Sequence, residues 1–178
     1  MSSLTIYLAM LMLGSNFSTT AVSNEPAQVT IQQSVNQSSA VQITDDEQRF
    51  IDLVNRERLE RGLNALTIDP MLVKVSREHC KEMADKNYFD HISATPGMRT
   101  ALDRYVSKLG HQPTWILIGE NLFYCSIEDV NRGHTCLMNS PGHRDNILNG
   151  RFRRIGVGVY KAADGEFWVT QMFLSTID

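Results

Sequence analysis

An α+β fold with helices layered over a small antiparallel sheet follows from three features of this amino-acid sequence. Capped, amphipathic stretches come first, from Thr44 to Asn139. One dense apolar run, Trp115 to Tyr124, interrupts them. Two alternating apolar segments around Asp164-Gly165 come last and read as a hairpin. Helices stacked on a sheet bury all of these faces at once.

The chain has 178 residues and ordinary globular composition, so a single folded domain is expected, over residues 44–178. Met1 to Gly14 contains LTIYLAMLMLG, too short to span a bilayer. It reads as the apolar core of a signal peptide over 1–21, with Thr19 and Ala21 at the cleavage site. Residues 22–43 are rich in Gln, Ser, Thr, Asn and Val and nearly uncharged, which predicts a flexible linker. No stable membrane span is then expected after processing, and export makes the product secreted or periplasmic.

Thr44 and Glu47 form a capping-box pattern before Phe50, Leu53 and Val54. Arg56, Arg58 and Arg61 crowd the far end of that helix, where cations suit the dipole, and Gly62 stops it. Asp69-Pro70 opens a second helix, running to about Tyr88, with Leu72, Val75, His79 and Met83 inward. Thr95-Pro96-Gly97 restarts the chain into a third helix bearing Met98, Leu102, Tyr105 and Leu109, closed by Gly110. Trp115 to Tyr124 predicts a strand with a bulged centre at Gly119, Glu120 and Asn121. Ser126 and Asp129 cap a fourth helix with Val130, Leu137 and Met138 inward. In NSPGHRDNIL, Ser140 is an expected N-cap, Pro141 the first helical residue, and Ile147 and Leu148 the anchor. In RRIGVGVY, Ile155, Val157 and Val159 alternate with Gly156 and Gly158. That leaves one sheet face bare, open to a closely approaching helix or strand. Residues 153–161 and 166–174 should pair through Ala162–Gly165.

A net charge of −3 and the absence of any Lys/Arg run longer than two argue against nucleic acid or an anionic membrane surface as the main partner. Cys80, Cys125 and Cys136 leave at least one unpaired thiol in a monomer. In a helix, Cys136 would lie about 15 Å along the axis from Cys125. That exceeds the reach of a disulfide, about 7 Å between Cα atoms, while Cys80 could pair with either.

Five histidines are candidates for chemistry. His79 and His134 sit on apolar stripes and read as core imidazoles, and His111 as a loop surface residue. His143 falls in the first turn of its helix, where the dipole favours a neutral ring able to act as a ligand. His91 follows a helix end, where the dipole favours protonation. Glu120 interrupts an apolar strand, so it needs a hydrogen-bonded partner or a metal. No HExxH, CxxC, P-loop or GxSxG is present. Two histidines and one glutamate could hold Zn²⁺ with an open position.

The ordered set LVNRERLERGLNALTIDPML, FDH, GENL, LMNSPGHRDNIL, IGVGVY and FWVTQMF resembles the CAP superfamily, and most closely its bacterial SCP-like extracellular branch. These are the cysteine-rich secretory, antigen 5 and pathogenesis-related 1 proteins. The resemblance spans residues 45–175. It implies an α–β–α sandwich and a cleft lined by His91, Glu120 and His143, with Asn121 and Ser140 beside them. Ser140 stands where eukaryotic members carry a second glutamate, Leu137 replaces a tryptophan, and the eukaryotic disulfide set is not reproduced. The resemblance further implies a binding module for a divalent cation, Zn²⁺ preferred, or for the polar part of a lipid or other small ligand. A metal-dependent hydrolase and a structural or host-interaction domain that contacts an extracellular protein are the alternatives.

Overall fold

The structure, a computed structural model, describes residues 41–177. The expected signal peptide, and the linker up to residue 40, lie outside the described residues. In chain order the elements are α1 (Asp45–Glu60), β1 (Thr67–Ile68), α2 (Pro70–Lys86), α3 (Ala101–Leu109), β2 (Trp115–Cys125), α4 (Val130–Asn139), α5 (Pro141–Ile147), β3 (Arg154–Lys161) and β4 (Phe167–Ile177). The sheet order is β1-β3-β4-β2.

The hairpin forms as the alternation requires. β3 pairs antiparallel with β4 from Arg154–Leu174 to Lys161–Phe167. β2 covers the other side of β4 in unbroken register, Trp115–Ile177 through Cys125–Phe167. The expected bulge is therefore absent: Gly119, Glu120 and Asn121 stay in the ladder opposite Phe173, Met172 and Gln171. Polar residues interrupt the hydrophobic pattern there without interrupting the pairing. The sheet is also mixed rather than purely antiparallel, because Thr67 and Ile68 pair in parallel with Arg154 and Ile155. Two residues carry no periodicity from which that strand could be read.

Strand alternation sorts the core into two layers. Ile155, Val157, Val169, Phe173 and Phe123 pack with Phe50, Ile51, Val54, Leu137 and Ile147 from α1, α4 and α5. Met172 and Leu174 pack with Leu72, Val75 and Tyr105 from α2 and α3. Cys80, Met83, Leu122 and Trp168 continue this second layer. The result is the expected α–β–α sandwich.

α2 lies on the bare glycine face of β3. A Cβ at Gly156 would sit 2.4 Å from the Leu72 carbonyl carbon, and one at Gly158 would sit 2.2 Å from the Arg77 amide nitrogen. Both clashes are with backbone, which cannot rotate away.

Glu47 shows how the layers are tied. It completes the Thr44 capping box, accepts from Arg77 Nε at 2.6 Å, and accepts from the Val159 amide at 3.3 Å. Arg77 also donates to the Gln42 carbonyl, and Ile43 packs on the core, so the last residues assigned to the linker contact the domain. Arg58 does more than suit the helix dipole. It is fully buried and donates to the carbonyls of Asn64, Ile147 and Asn149, pinning α1 to the end of α5. All three cysteines are free thiols. Burial pushes the Cys80 thiol up to about 12, so it stays protonated at neutral pH.

Gly158→Val should test the α2 contact. Overpacking a close helix–strand contact costs about 1–3 kcal/mol, and backbone collisions place this site at or above the top of that range. Urea unfolding of the full chain measures it, and a loss below about 0.5 kcal/mol would show that α2 can move away.

Candidate functional site

The site is built on the free edge of β2, with α3 and the loop after α2 on one side and α5 on the other. Glu120 points to the same sheet face as Ile118 and Leu122, and Asn121 to the opposite face. Consecutive residues of one strand thus serve two sides of the same edge.

Glu120 has the partners its buried setting demands, and the main one is Arg104. Arg104 Nη2 donates to Glu120 Oε2, and both side chains are about 5% exposed (6% and 5%). Glu120 Oε1 lies 2.9 Å from Nδ1 of His91, whose ring is 53% exposed. Arg104 Nη1 donates to the carbonyls of His91 and Arg99, so one guanidinium holds both Glu120 and the backbone beneath His91.

The 88–95 loop carrying His91 is tied back to α2 through Glu82. Glu82 accepts from Lys86, Tyr88, Ser93 and Thr95 at 2.6–2.8 Å. Burial works against its charge, but these four donors outweigh it and hold the carboxyl well below the usual carboxylate range.

On the other side, Asn121 Nδ2 donates to the His143 carbonyl at 3.0 Å and to Gln171 Oε1 at 3.2 Å. Asn146 Nδ2 donates to the Glu120 carbonyl and to Asn121 Oδ1. This amide chain fastens α5, and hence His143, to the strand that bears Glu120. Ser140 joins α4 to α5, but its side chain makes no capping hydrogen bond, contrary to the sequence expectation. Its backbone serves instead: the Ser140 carbonyl accepts from the Arg144 amide.

The two imidazoles differ in charge preference, as expected, but for other reasons. The hydrogen bond to Glu120 raises the pKa of His91. The dipole argument does not apply, because α2 ends at Lys86 with Asn87 in the left-handed region. Burial lowers the pKa of His143, and the nearby charge of His91 lowers it further. The geometry thus favours a cationic ring beside a neutral one.

Among the described residues, no three His, Cys, Asp or Glu gather closely enough to hold a metal ion. The expected three-ligand set of His91, Glu120 and His143 does not fit one: both Glu120 oxygens are engaged, by His91 and Arg104. Glu120 orients His91 instead.

His79 and His134 are buried, as their stripes predict, and His111 is exposed. The sequence reading missed Arg104, Asn146 and Gln171. For Arg104 a signal existed: it shares an i, i+3, i+4 stripe with Ala101 and Tyr105, so a charge stood on an apolar face. Nothing local marks the two amides.

The profile of the cysteine-rich secretory protein family, CAP, matches residues 51–173. The uncharacterized protein YkwD of Bacillus subtilis (strain 168) is 39% identical over 130 residues, covering 72% of this chain and 46% of that protein. The uncharacterized membrane protein YlbC of the same organism is 34% identical over 116 residues, covering 65% of this chain and 32% of that one. The chain thus spans less than half the length of these curated relatives. An extracellular protein containing an SCP domain from Bacillus anthracis str. Ames has a solved structure with a TM-score of 0.61 and 34% identity, covering 72% of this chain and 39% of that one. An outer surface protein from Borrelia burgdorferi shares the fold, with a TM-score of 0.66 at 22% identity, covering 76% of this chain and 96% of that one.

Two outcomes follow from this geometry. Arg104→Met leaves buried Glu120 with the half-exposed His91 as its remaining partner, which should cost about 3–5 kcal/mol in urea unfolding; a cost near zero would show that His91 alone suffices. Glu120→Gln should return the His91 titration, followed by NMR, toward the ordinary histidine value. The signs are opposite for the two rings. The raised pKa of His91 adds stability below about pH 6.5, and that contribution is lost as pH rises through its folded value. The lowered pKa of His143 adds stability above about pH 6.5, and that contribution is lost as pH falls through its folded value.

Proposed function

This chain belongs to the CAP, or cysteine-rich secretory protein, family, and from that premise we propose that it is an exported binding module that holds the polar head of an amphiphilic small ligand in the His91–Glu120–His143 cleft. One observation carries the reading: exposed apolar side chains flank the His91–Glu120 pair. Phe89 and Ile92, 51% and 39% exposed, bracket His91 in the chain. Phe89 also contacts the rings of Tyr124 and Trp168 at 6.2 Å.

Arg104, Glu120 and protonated His91 together carry one net positive charge. That charge suits an anionic head such as a carboxylate, with the alkyl part on Phe89 and Ile92. His143, kept neutral, adds a hydrogen-bonding ring without charge repulsion. Asn121 and Asn146 hold the two sides of the cleft in place, so little ordering cost falls on binding.

The same cleft offers a divalent cation two imidazoles and no third protein ligand, so any Zn²⁺ site here is weak and exchangeable. Hydrolysis has less support. Among the described residues no serine, threonine or cysteine side chain hydrogen-bonds to either imidazole, so these residues assemble no nucleophile–base pair. Export accords with the extracellular solved relative from Bacillus anthracis, and no helix among the described residues is long and apolar enough to cross a membrane.

Laurate titration by calorimetry, with Trp168 fluorescence as a second readout, tests the proposal. Laurate should bind at pH 6 and more weakly at pH 8, as His91 loses its proton. His91→Ala should weaken binding at least about tenfold. Equal affinity for the wild type and the His91→Ala/His143→Ala variant would overturn it. In the same experiment Zn²⁺ should bind weakly or not at all at neutral pH.

A further inference from the structure

An open pocket of about 360 Å³ lies at the end of the sheet remote from the β3–β4 turn, lined by Trp115, Arg151, Arg153, Ser175, Thr176 and Ile177. Trp115 stands on β2 five residues before Glu120, about 17 Å along the strand, so the pocket is separate from the cleft.

Its floor is apolar and its wall is cationic. Trp115 and Ile177 are cross-strand neighbours and remain 39% and 62% exposed. The Arg151 guanidinium lies 5.9 Å from the centre of the Trp115 ring. Ser175 Oγ holds Arg151 in place by donating to its carbonyl at 2.7 Å. Arg151 and Arg153 are both exposed, and neither is paired with a carboxylate among the described residues. The adjoining Arg154, by contrast, is neutralised by Asp69. Arg153 Nη1 donates to the Gly150 and Phe152 carbonyls, which leaves Nε and Nη2 for a ligand. Burial lowers the pKa of Arg58, and the charge of Arg153 lowers it further, so excess positive charge at this end reaches beyond the pocket. The chain as a whole is at −3, which makes this local excess a site for an anion.

The donor set suits a carboxylate better than a phosphate. A guanidinium fork matches two coplanar oxygens. The further oxygens of a phosphate call for backbone amides, and those nearby are already used. Arg151 N–H donates to Asn149 Oδ1, Phe152 N–H to the Asn149 carbonyl and Arg153 N–H to the Leu174 carbonyl. An extended peptide suits the rest of the pocket. β2 is the last strand of the sheet, so the outer edge of Trp115 has no partner strand among the described residues. In an extended chain, side chains two residues apart share a face and lie about 6.7 Å apart. That is close to the 5.9 Å between guanidinium and indole. Tryptophan and arginine are also the side chains that most often carry binding energy at protein interfaces.

We propose that this pocket docks an extended acidic peptide segment of a partner protein, with a carboxylate held by Arg151 and Arg153 and the apolar side chain two residues away resting on Trp115 and Ile177. The site is independent of the cleft and of the ligand proposed there.

The test titrates acetyl-Thr-Glu-Thr-Leu-Thr-amide into the full-length chain labelled with ¹⁵N, following the indole N–H of Trp115, with that of Trp168 as internal control. A saturable shift at Trp115 and none at Trp168 is expected, weakening as salt is added. Glutamine in place of glutamate in the peptide should weaken binding at least about tenfold, as should Arg151→Met/Arg153→Met in the protein. Both arginines are exposed, so the variant's fold is checked by an unchanged His91 titration. Asp178→Asn, which removes the charge next to Ile177, should leave the affinity within about twofold. The proposal is overturned by the absence of a saturable shift at millimolar peptide, by equal binding of the glutamine peptide, or by unchanged affinity in Arg151→Met/Arg153→Met. Tighter binding of the phosphoserine peptide or of inorganic phosphate would also overturn it, marking a phosphate site. So would an affinity at least about tenfold higher in Asp178→Asn, which would make the chain's own end the occupant.

Discussion

α2 can be seated on the sheet only because β3 presents backbone there rather than side chains. With Gly156 and Gly158 turned toward it, the helix approaches until its own backbone, at Leu72 and Arg77, fills the space a Cβ would need. That contact sets the distance of α2 from β3 to within a few tenths of an ångström, since packed interiors have no slack at this scale. The position of the loop after α2, and so of His91, follows from it. Glu82, one turn before the end of α2, then gathers Tyr88, Ser93 and Thr95 around its carboxylate. A glycine pair in one strand thereby governs a histidine some 65 residues earlier in the chain.

The electrostatics of the cleft build on that placement. Glu120 occupies an otherwise apolar strand position, and Arg104 makes its burial tolerable. A buried ion pair contributes little net stability, but it strongly penalises arrangements in which either partner is missing. Here that penalty selects one relation between α3, β2 and the 88–95 loop, because Arg104 also holds the His91 carbonyl. His91 is then left with one nitrogen committed to Glu120 and most of its ring in solvent. The opposite wall is rigid for a different reason. Asn121, Asn146 and Gln171 form a side-chain amide chain that locks α5 to the edge strand through hydrogen bonds alone.

The family relationship and this geometry meet at the same residues. The cleft motifs FDH, GENL and SPGHR lie within or beside elements that the sandwich brings to one sheet edge. Their chemistry, however, depends on a residue outside those motifs. Arg104 fixes Glu120 as an acceptor that orients His91.

The sequence by itself determined the local elements and much of the layering. Capping boxes, Pro at helix starts, the Asp164-Gly165 turn and the glycine alternation in IGVGVY are short-range signals, and each acts through the backbone of its own segment. They specified α1, α2, α4, the β3–β4 hairpin and the bare face awaiting a helix. Tertiary structure alone decided the rest. The parallel β1 pairing, the unbroken register through Gly119 to Asn121, the burial of Arg58 and the Arg104–Glu120 pair all join segments distant in sequence. A buried charge announces that it needs a partner, but not which one. Several cations and a metal can satisfy a carboxylate equally well in composition, and only the packing of α3 against the edge of β2 brings one of them within hydrogen-bonding distance.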